Sequence, residues 1–211
     1  MNLHLTRAHI PYDIVARPWK DGGFRDSYAW HKRVWECFPE RPAAARDFLT
    51  RLDDTGRDFR LLILSAVMPE KPHWCPDASW ESKDIDSSFL SHTRYRFSLV
   101  ANPTVKRVVR DSQGNRKKNG RREPLSKRED LLAWLERKAA QHGFSVIPDE
   151  IRTIPRPRQP FLKGGKAGLH TATEFTGILA VEDGDLLRTA FVSGIGSAKA
   201  FGFGMLCLSP L

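Results

Sequence analysis

The sequence is poor in the residues that cross-link a chain or carry redox chemistry, with three cysteines and three methionines in 211 residues. Cys37, Cys75 and Cys207 are scattered with no close pair, which argues against a disulfide framework and a zinc site and suits a reducing cytoplasm. They read as small hydrophobes that fill space. No apolar run approaches the ~20 residues of a membrane-spanning helix, so no membrane partner is expected. The opening Met1-Asn-Leu-His-Leu-Thr-Arg7 lacks the basic and apolar regions of a secretory leader. Acidic residues are also short: 25 Asp and Glu stand against 34 Lys and Arg, a net charge of +9 and a pI near 9.7. That balance favours a polyanionic partner, nucleic acid first. No His-Glu-x-x-His, Walker loop or convincing carboxylate pair occurs. His4 and His9 are an odd number of residues apart, so in a strand they face opposite sides. The expectation is therefore chemistry with no metal and no cofactor.

What is present is a well-formed series of short elements. Residues 2–10 read as a strand with Leu3 and Leu5 on one face. Asp26 or Ser27 is placed to cap a helix running to about Phe38, with Trp30, Val34 and Phe38 toward a core, and Pro39 and Pro42 stop it. Strands are expected near 46–52 and 59–67, the second apolar enough to be central. Residues 69–91 read as irregular with one short helix. A second series opens at Tyr95–Val100. Ser126-Lys-Arg-Glu129 has the pattern of a capping box, and the helix behind it carries Leu131, Leu132, Trp134, Leu135 and Ala139 at helical spacing. Gly143 ends it. Strands near 144–154 and 170–181, a helix from Leu186 to Ser193 and a strand from Ala200 to Leu208 complete the chain. This half reads β-α-β-β-α-β, the ferredoxin-like order, and the first half gives a poorer version. The predicted architecture is α+β, two tandem ferredoxin-like domains at 1–91 and 92–211.

Three segments concentrate cations or glycine. From Lys106 to Arg128 there are ten basic residues (among them Lys106, Arg107, Arg116, Lys117, Lys118, Arg121 and Arg122) against Asp111 and Glu123. Such a loop is either solvated or neutralised by phosphates, and its density of charge favours phosphate. From Arg152 to Lys166 there are five more (Arg152, Arg156, Arg158, Lys163, Lys166) and no acid. Pro155, Pro157 and Pro160 stiffen this stretch, and Gly164-Gly165 turns it between two strands. A stiff basic hairpin suits a deep, narrow RNA groove better than a broad helix face does. The third segment runs from Gly194-Ile-Gly196 to Gly202-Phe-Gly204. It is read either as a tight turn with close backbone approach, or as a loop whose amides meet a phosphate together with Lys199.

Tyr28 and His31 lie one helical turn apart and share a face. Histidine titrates near neutrality and suits proton transfer. RNA brings its own nucleophile, the 2′-hydroxyl, so an enzyme need only move protons and stabilise the phosphorane. A lone helical histidine has that meaning only in an RNA-binding setting; otherwise it is structural.

Taken together these residues resemble the CRISPR repeat endoribonucleases of the subtype I-E system, the CasE family. The resemblance rests on the two Gly-hydrophobic-Gly triplets five residues apart, on Tyr28-Ala-Trp-His31, and on Arg96–Pro103 followed by a basic stretch and Leu131–Arg137. It spans nearly the whole chain. It implies a stem-loop RNA substrate cut without metal at the 3′ base of the stem, leaving a 2′,3′-cyclic phosphate and a 5′-hydroxyl. It implies that the enzyme keeps its product, the crRNA hairpin, as a subunit of Cascade, meeting target DNA only through that complex. By position His31 is then the general acid/base and Tyr28 orients the 2′-hydroxyl. Lys163 or Lys166 steadies the developing charge, and Lys32 faces the RNA. The competing reading is a non-catalytic subunit that binds an RNA hairpin.

Overall fold

Two antiparallel sheets follow one another along the chain in the computed structural model, which describes residues 2–20, 23–40, 46–108, 113, 115 and 121–211, without the side chains of Arg121 and Lys163. The first sheet contains β1 (Leu3–Pro11), β2 (Phe48–Asp54), β3 (Asp58–Ser65) and β4 (Trp80–Ile85), in the order β2-β3-β1-β4. A short helical turn, α1 (Tyr12–Val15), and then α2 (Ser27–Trp35) lie between β1 and β2. Period-two alternation gives this sheet two apolar faces. Ala8, Ile10, Phe48, Leu61 and Ile63 pack against Trp30 and Val34 of α2. Leu3, Leu49 and Leu64 project the other way, onto Leu90, Phe191 and Met205.

The second sheet has the order β11-β5-β10-β8. It is built from β5 (Arg94–Ala101), β8 (Phe144–Val146), β10 (Lys166–Val181) and β11 (Leu206–Pro210), with β9 (Arg152–Lys163) also pairing β10. A separate hairpin joins β6 (Thr104–Arg107) to β7 (Arg121–Pro124). Helices α3 (Arg128–Gln141) and α4 (Gly184–Ser193) cover the sheet, so that Leu131, Trp134, Leu135, Leu187 and Ala190 meet Phe97, Leu99, Phe175 and Leu179. Numbered within each half, both sheets run four-one-three-two, and the fold is α+β with tandem ferredoxin-like units, as the sequence predicts. Trp30, Val34 and Phe38 are core residues, as expected. The cysteines are free, and burial pushes the Cys75 thiol up to about 11, in keeping with a packing role.

Several elements differ from the sequence reading. Residues 69–91 contain β4, a polar edge strand with no apolar alternation, held in register by β1 from Leu3 opposite Ile85 to Ala8 opposite Trp80. Where the second helix of the first unit belongs there is only a 3-10 turn, Asp77–Ser79. The capping box does not form. Helix α3 starts at Arg128, a residue too late for Ser126 to cap it, and Lys127 at the cap makes no side-chain bond. The Arg128 guanidinium is instead tied to the Ile151 carbonyl at 3.0 Å and the Thr153 hydroxyl at 3.2 Å. The last strand begins at Leu206, because left-handed Ala198 and Gly202 bracket a 3-10 turn over residues 199–201. The strand expected over 144–154 is broken by another 3-10 turn, Pro148–Glu150, into β8 and β9. The prolines at 155, 157 and 160 all fall in β9. They are tolerated there because β9 is an edge strand that pairs with β10 alone.

Candidate active site

Helix α2 and strand β9 are joined at the helix N-terminus. Asp26 resolves the choice of cap: one carboxylate oxygen accepts from the Ala29 amide at 2.8 Å, satisfying a first-turn donor. Its other oxygen accepts from the Leu162 amide at 3.0 Å, and the Ser27 hydroxyl donates to the Pro160 carbonyl at 3.3 Å. One short side chain thus starts the helix and anchors the basic hairpin to it.

With its buried face filled by Ala29, Trp30, Arg33 and Val34, α2 turns Tyr28 and His31 outward together. Their ring centroids are 6.3 Å apart. A third ring comes from far along the chain: Phe201 lies 6.5 Å from Tyr28 and 6.4 Å from His31. Lys32 places its ammonium 5.9 Å from the centre of the Tyr28 ring. The Trp35 indole N–H donates to His31 Nε2 at 3.2 Å, while its ring is held edge-on to Phe48 at 5.0 Å. An acceptor at Nε2 leaves the neutral imidazole with its proton on Nδ1. His31 lines a cleft of about 400 Å³ that also takes in Thr50 and Leu52 of β2 and Arg156 to Pro160 of β9, and Tyr28 stands beside His31 at its edge.

The glycine-rich ending folds back on itself. Ile195 N–H donates to the Gly204 carbonyl and Gly204 N–H to the Val100 carbonyl, both at 2.8 Å. A Cβ on Gly204 would stand 2.6 Å from the Ile195 carbonyl oxygen, so glycine is required for this approach. Ile195 and Phe203 are fully buried. Gly194, Gly196, Gly202 and Gly204 all have positive φ, and the turn they build presents Phe201 to the site. Lys199 lies on the same turn. Burial, together with the charges of Arg46 and Lys138, lowers its pKa.

The basic residues divide by environment. Arg158 is exposed on the cleft wall. Arg152 lies at the start of β9, and Lys163 and Lys166 are paired across the tip of the hairpin. Arg156 is engaged: its guanidinium meets Asp53 and Glu174. Both acids also bind the buried Arg51, whose Nε is 2.9 Å from Asp53 and whose Nη2 is 2.7 Å from Glu174. Burial by itself would raise both carboxyls, but the bonds and charges of their partners (Arg51 on both, Arg60 on Asp53, Ser98 on Glu174, and the charge of Arg156) hold them below their ordinary values. Arg107 pairs with Glu123 across β6 and β7, while Lys106 and Arg122 are exposed. Arg116, Lys117 and Lys118 lie outside the described residues, as does the side chain of Arg121. Among the described residues no group of three His, Cys, Asp or Glu is placed to hold a metal ion, and no helix is long and apolar enough to cross a membrane.

Sequence reasoning missed Trp35 and Phe201. Trp35 was legible as the i+4 neighbour of His31. Phe201 had no local signal beyond its place between the two glycine triplets.

Comparison with known proteins shows the family and the fold. Residues 3–210 match a family model described as CRISPR associated protein. The chain is 34% identical over 205 residues to the Cascade subunit CasE of Escherichia coli K12, covering 94% of this chain and 97% of that one. It is 29% identical over 127 residues to the CRISPR-associated endoribonuclease Cse3 of Thermus thermophilus, 56% of each chain. The crystal structure of Cas6e from E. coli K-12 superposes with a TM-score of 0.72 at 30% identity over the whole of both chains. T. thermophilus Cse3 bound to an RNA representing a pre-cleavage complex gives the same TM-score at 20% identity, a likeness of fold.

Proposed function

The chain belongs to the CRISPR associated protein family and is a relative of CasE, and from that premise we propose that it is an endoribonuclease that cuts CRISPR repeat RNA and stays with the crRNA hairpin as a Cascade subunit. The observation that carries this reading is that His31, with the Tyr28 ring beside it, lines a cleft shared with the basic strand β9. The two domains, divided near residue 92, each supply one wall. The basic lone pair of His31 is on Nε2, so the substrate displaces the Trp35 N–H there and His31 takes the proton of the 2′-hydroxyl, whose oxygen attacks the adjacent phosphorus. The bond from phosphorus to the 5′-oxygen then breaks and the leaving oxygen takes the proton back from the His31 imidazolium, giving a 2′,3′-cyclic phosphate and a 5′-hydroxyl. Tyr28 orients the attacking hydroxyl. Lys163 or Lys166, with Lys32 and Arg158, balances the charge on the phosphorane. No metal takes part, and the protein works in the cytoplasm.

Cleavage of the cognate repeat hairpin in EDTA is the test. Full activity is expected, and a 2′-deoxy nucleotide at the scissile position is expected to stop cutting while binding persists. Tight binding of an all-ribose hairpin that is never cut would favour a non-catalytic RNA-binding subunit.

Trp35 sets the state of the catalytic ring. Trp35→Phe keeps the aromatic contact with Phe48 and removes the N–H, a bond worth about 1 kcal/mol. The imidazole ¹⁵N shifts of His31 should report a proton on Nδ1 in the parent protein and a mixture of tautomers in the variant. An unchanged tautomer would show that Trp35 does not control it.

A further inference from the structure

A second cavity, of about 510 Å³, opens on the other side of the cleft wall, and Arg158 lines both spaces. Besides Arg158 of β9, its walls come from Asn102 after β5, Thr104 on β6, Arg122 on β7, Leu169 to Thr171 on β10, and Ser197-Ala198 of the glycine-rich turn. Arg122 and Arg158 are both exposed, and among the described residues neither is in an ion pair. Leu169 is 54% exposed, an apolar surface beside two cations. Hydroxyls of Thr104, Thr171 and Ser197 border the same space.

The floor is rigid. His170 stacks on Phe161 at 4.6 Å, and Phe201 stands 4.8 Å from it. Phe201 is the ring that also touches Tyr28 and His31. The Thr171 hydroxyl donates to the Asn102 side-chain oxygen at 3.2 Å, which orients that amide so that its nitrogen donates to His170 Nδ1 at 3.1 Å. His170 Nδ1 is thus an acceptor, and the neutral ring carries its proton on Nε2. That Nε2 is buried and has no partner among the described residues, so the floor is short of one acceptor.

Paired cations, an apolar platform and hydroxyls in a space of nucleotide size are what an unpaired nucleotide needs and a duplex does not. We propose that this cavity is a subsite for a nucleotide of the single-stranded RNA flank beyond the base of the stem. Its phosphate lies between Arg122 and Arg158, and its base rests on Leu169. The inference rests on the RNA-cleaving reading above and adds a part of the substrate that the cleft itself does not hold. Because Arg158 faces both spaces, a flank bound here also fixes the phosphate that enters the cleft.

The test compares two non-cleavable RNAs, each 2′-deoxy at the scissile position, by fluorescence anisotropy at one salt concentration. One ends at the base of the stem; the other carries a flank of several nucleotides, on the 5′ or the 3′ side in separate arms. The flank on one side is expected to tighten binding to the parent protein about tenfold. The uncharged change Leu169→Ser is expected to remove most of that gain while binding the stem-only RNA as the parent does, and Arg122→Ala is expected to weaken the flanked RNA clearly more than the stem-only RNA. A flank that adds nothing on either side overturns the subsite. So does an Arg122→Ala loss that is equal on both RNAs, because that is general charge attraction. Failure of the parent protein to bind either RNA overturns the RNA reading itself.

Discussion

Replacing His31 with alanine is expected to slow single-turnover cleavage of the repeat hairpin by roughly 100- to 10,000-fold, the usual contribution of a positioned general acid/base. RNA affinity should change less than about threefold, since phosphate contacts set affinity and His31 supplies none in the ground state. The separation is clean because the substitution costs little folding energy. His31 is only half-buried, on the outward face of α2, and alanine is the better helix former. Removing one partly exposed side chain and its bond to Trp35 leaves stability within about 1 kcal/mol of the parent. Cleavage rate, hairpin affinity and melting temperature measured on one preparation decide the matter. A variant that cuts at the parental rate removes His31 from the mechanism. One that melts far below the parent would show that the residue is structural.

How much of this was legible in the sequence depends on the distance over which each feature is determined. The second unit could be read because its signals are local: alternation in Tyr95–Val100, helical spacing from Leu131 to Ala139, and a glycine where α3 ends. The Tyr28/His31 pair could be read because one turn of helix brings them together. β4 could not, because Trp80–Ile85 has four polar residues in a row between its two apolar ends and takes its register from β1, some 75 residues away along the chain. The capping box misled because it describes what Ser126 is able to do, whereas the helix start is fixed by Arg128 reaching Ile151 and Thr153. The basic stretch from Arg152 to Lys166 holds no acid of its own. Nothing local therefore showed that Arg156 meets Asp53 and Glu174, brought to it from β2 and β10. Composition located the basic stretch but not which of its cations was already in use.

That ion network should produce the largest loss of stability of any single substitution considered. Asp53 accepts from Arg51 and Arg60 at 2.9 Å each and from Arg156, and Arg51 continues to Ser98 at 2.6 Å and Glu174 at 2.7 Å. The network joins β2 and β3 of the first sheet to β5, β9 and β10 of the second. Asp53→Ala leaves the buried Arg51 guanidinium with Glu174 as its one remaining carboxylate, beside Arg60 and Arg156, which lose the same partner. Loss of one partner of a buried ion pair costs about 3–5 kcal/mol. For a chain of this size that corresponds to a melting temperature lower by roughly 10 °C. Both carboxyls are held below their ordinary values, so they bind fewer protons folded than unfolded. Their stabilisation is complete above the unfolded carboxylate pKa of about 4 and is lost as the pH falls through the depressed folded values. Denaturant titrations should therefore show the parent losing stability below about pH 4, and Asp53→Asn losing less over that range. Arg51→Ala combined with Asp53→Ala should cost clearly less than the sum of the two single changes, because the second removal relieves the charge that the first exposed. Additive costs would mean that the two halves of the molecule are held together by their apolar contacts alone.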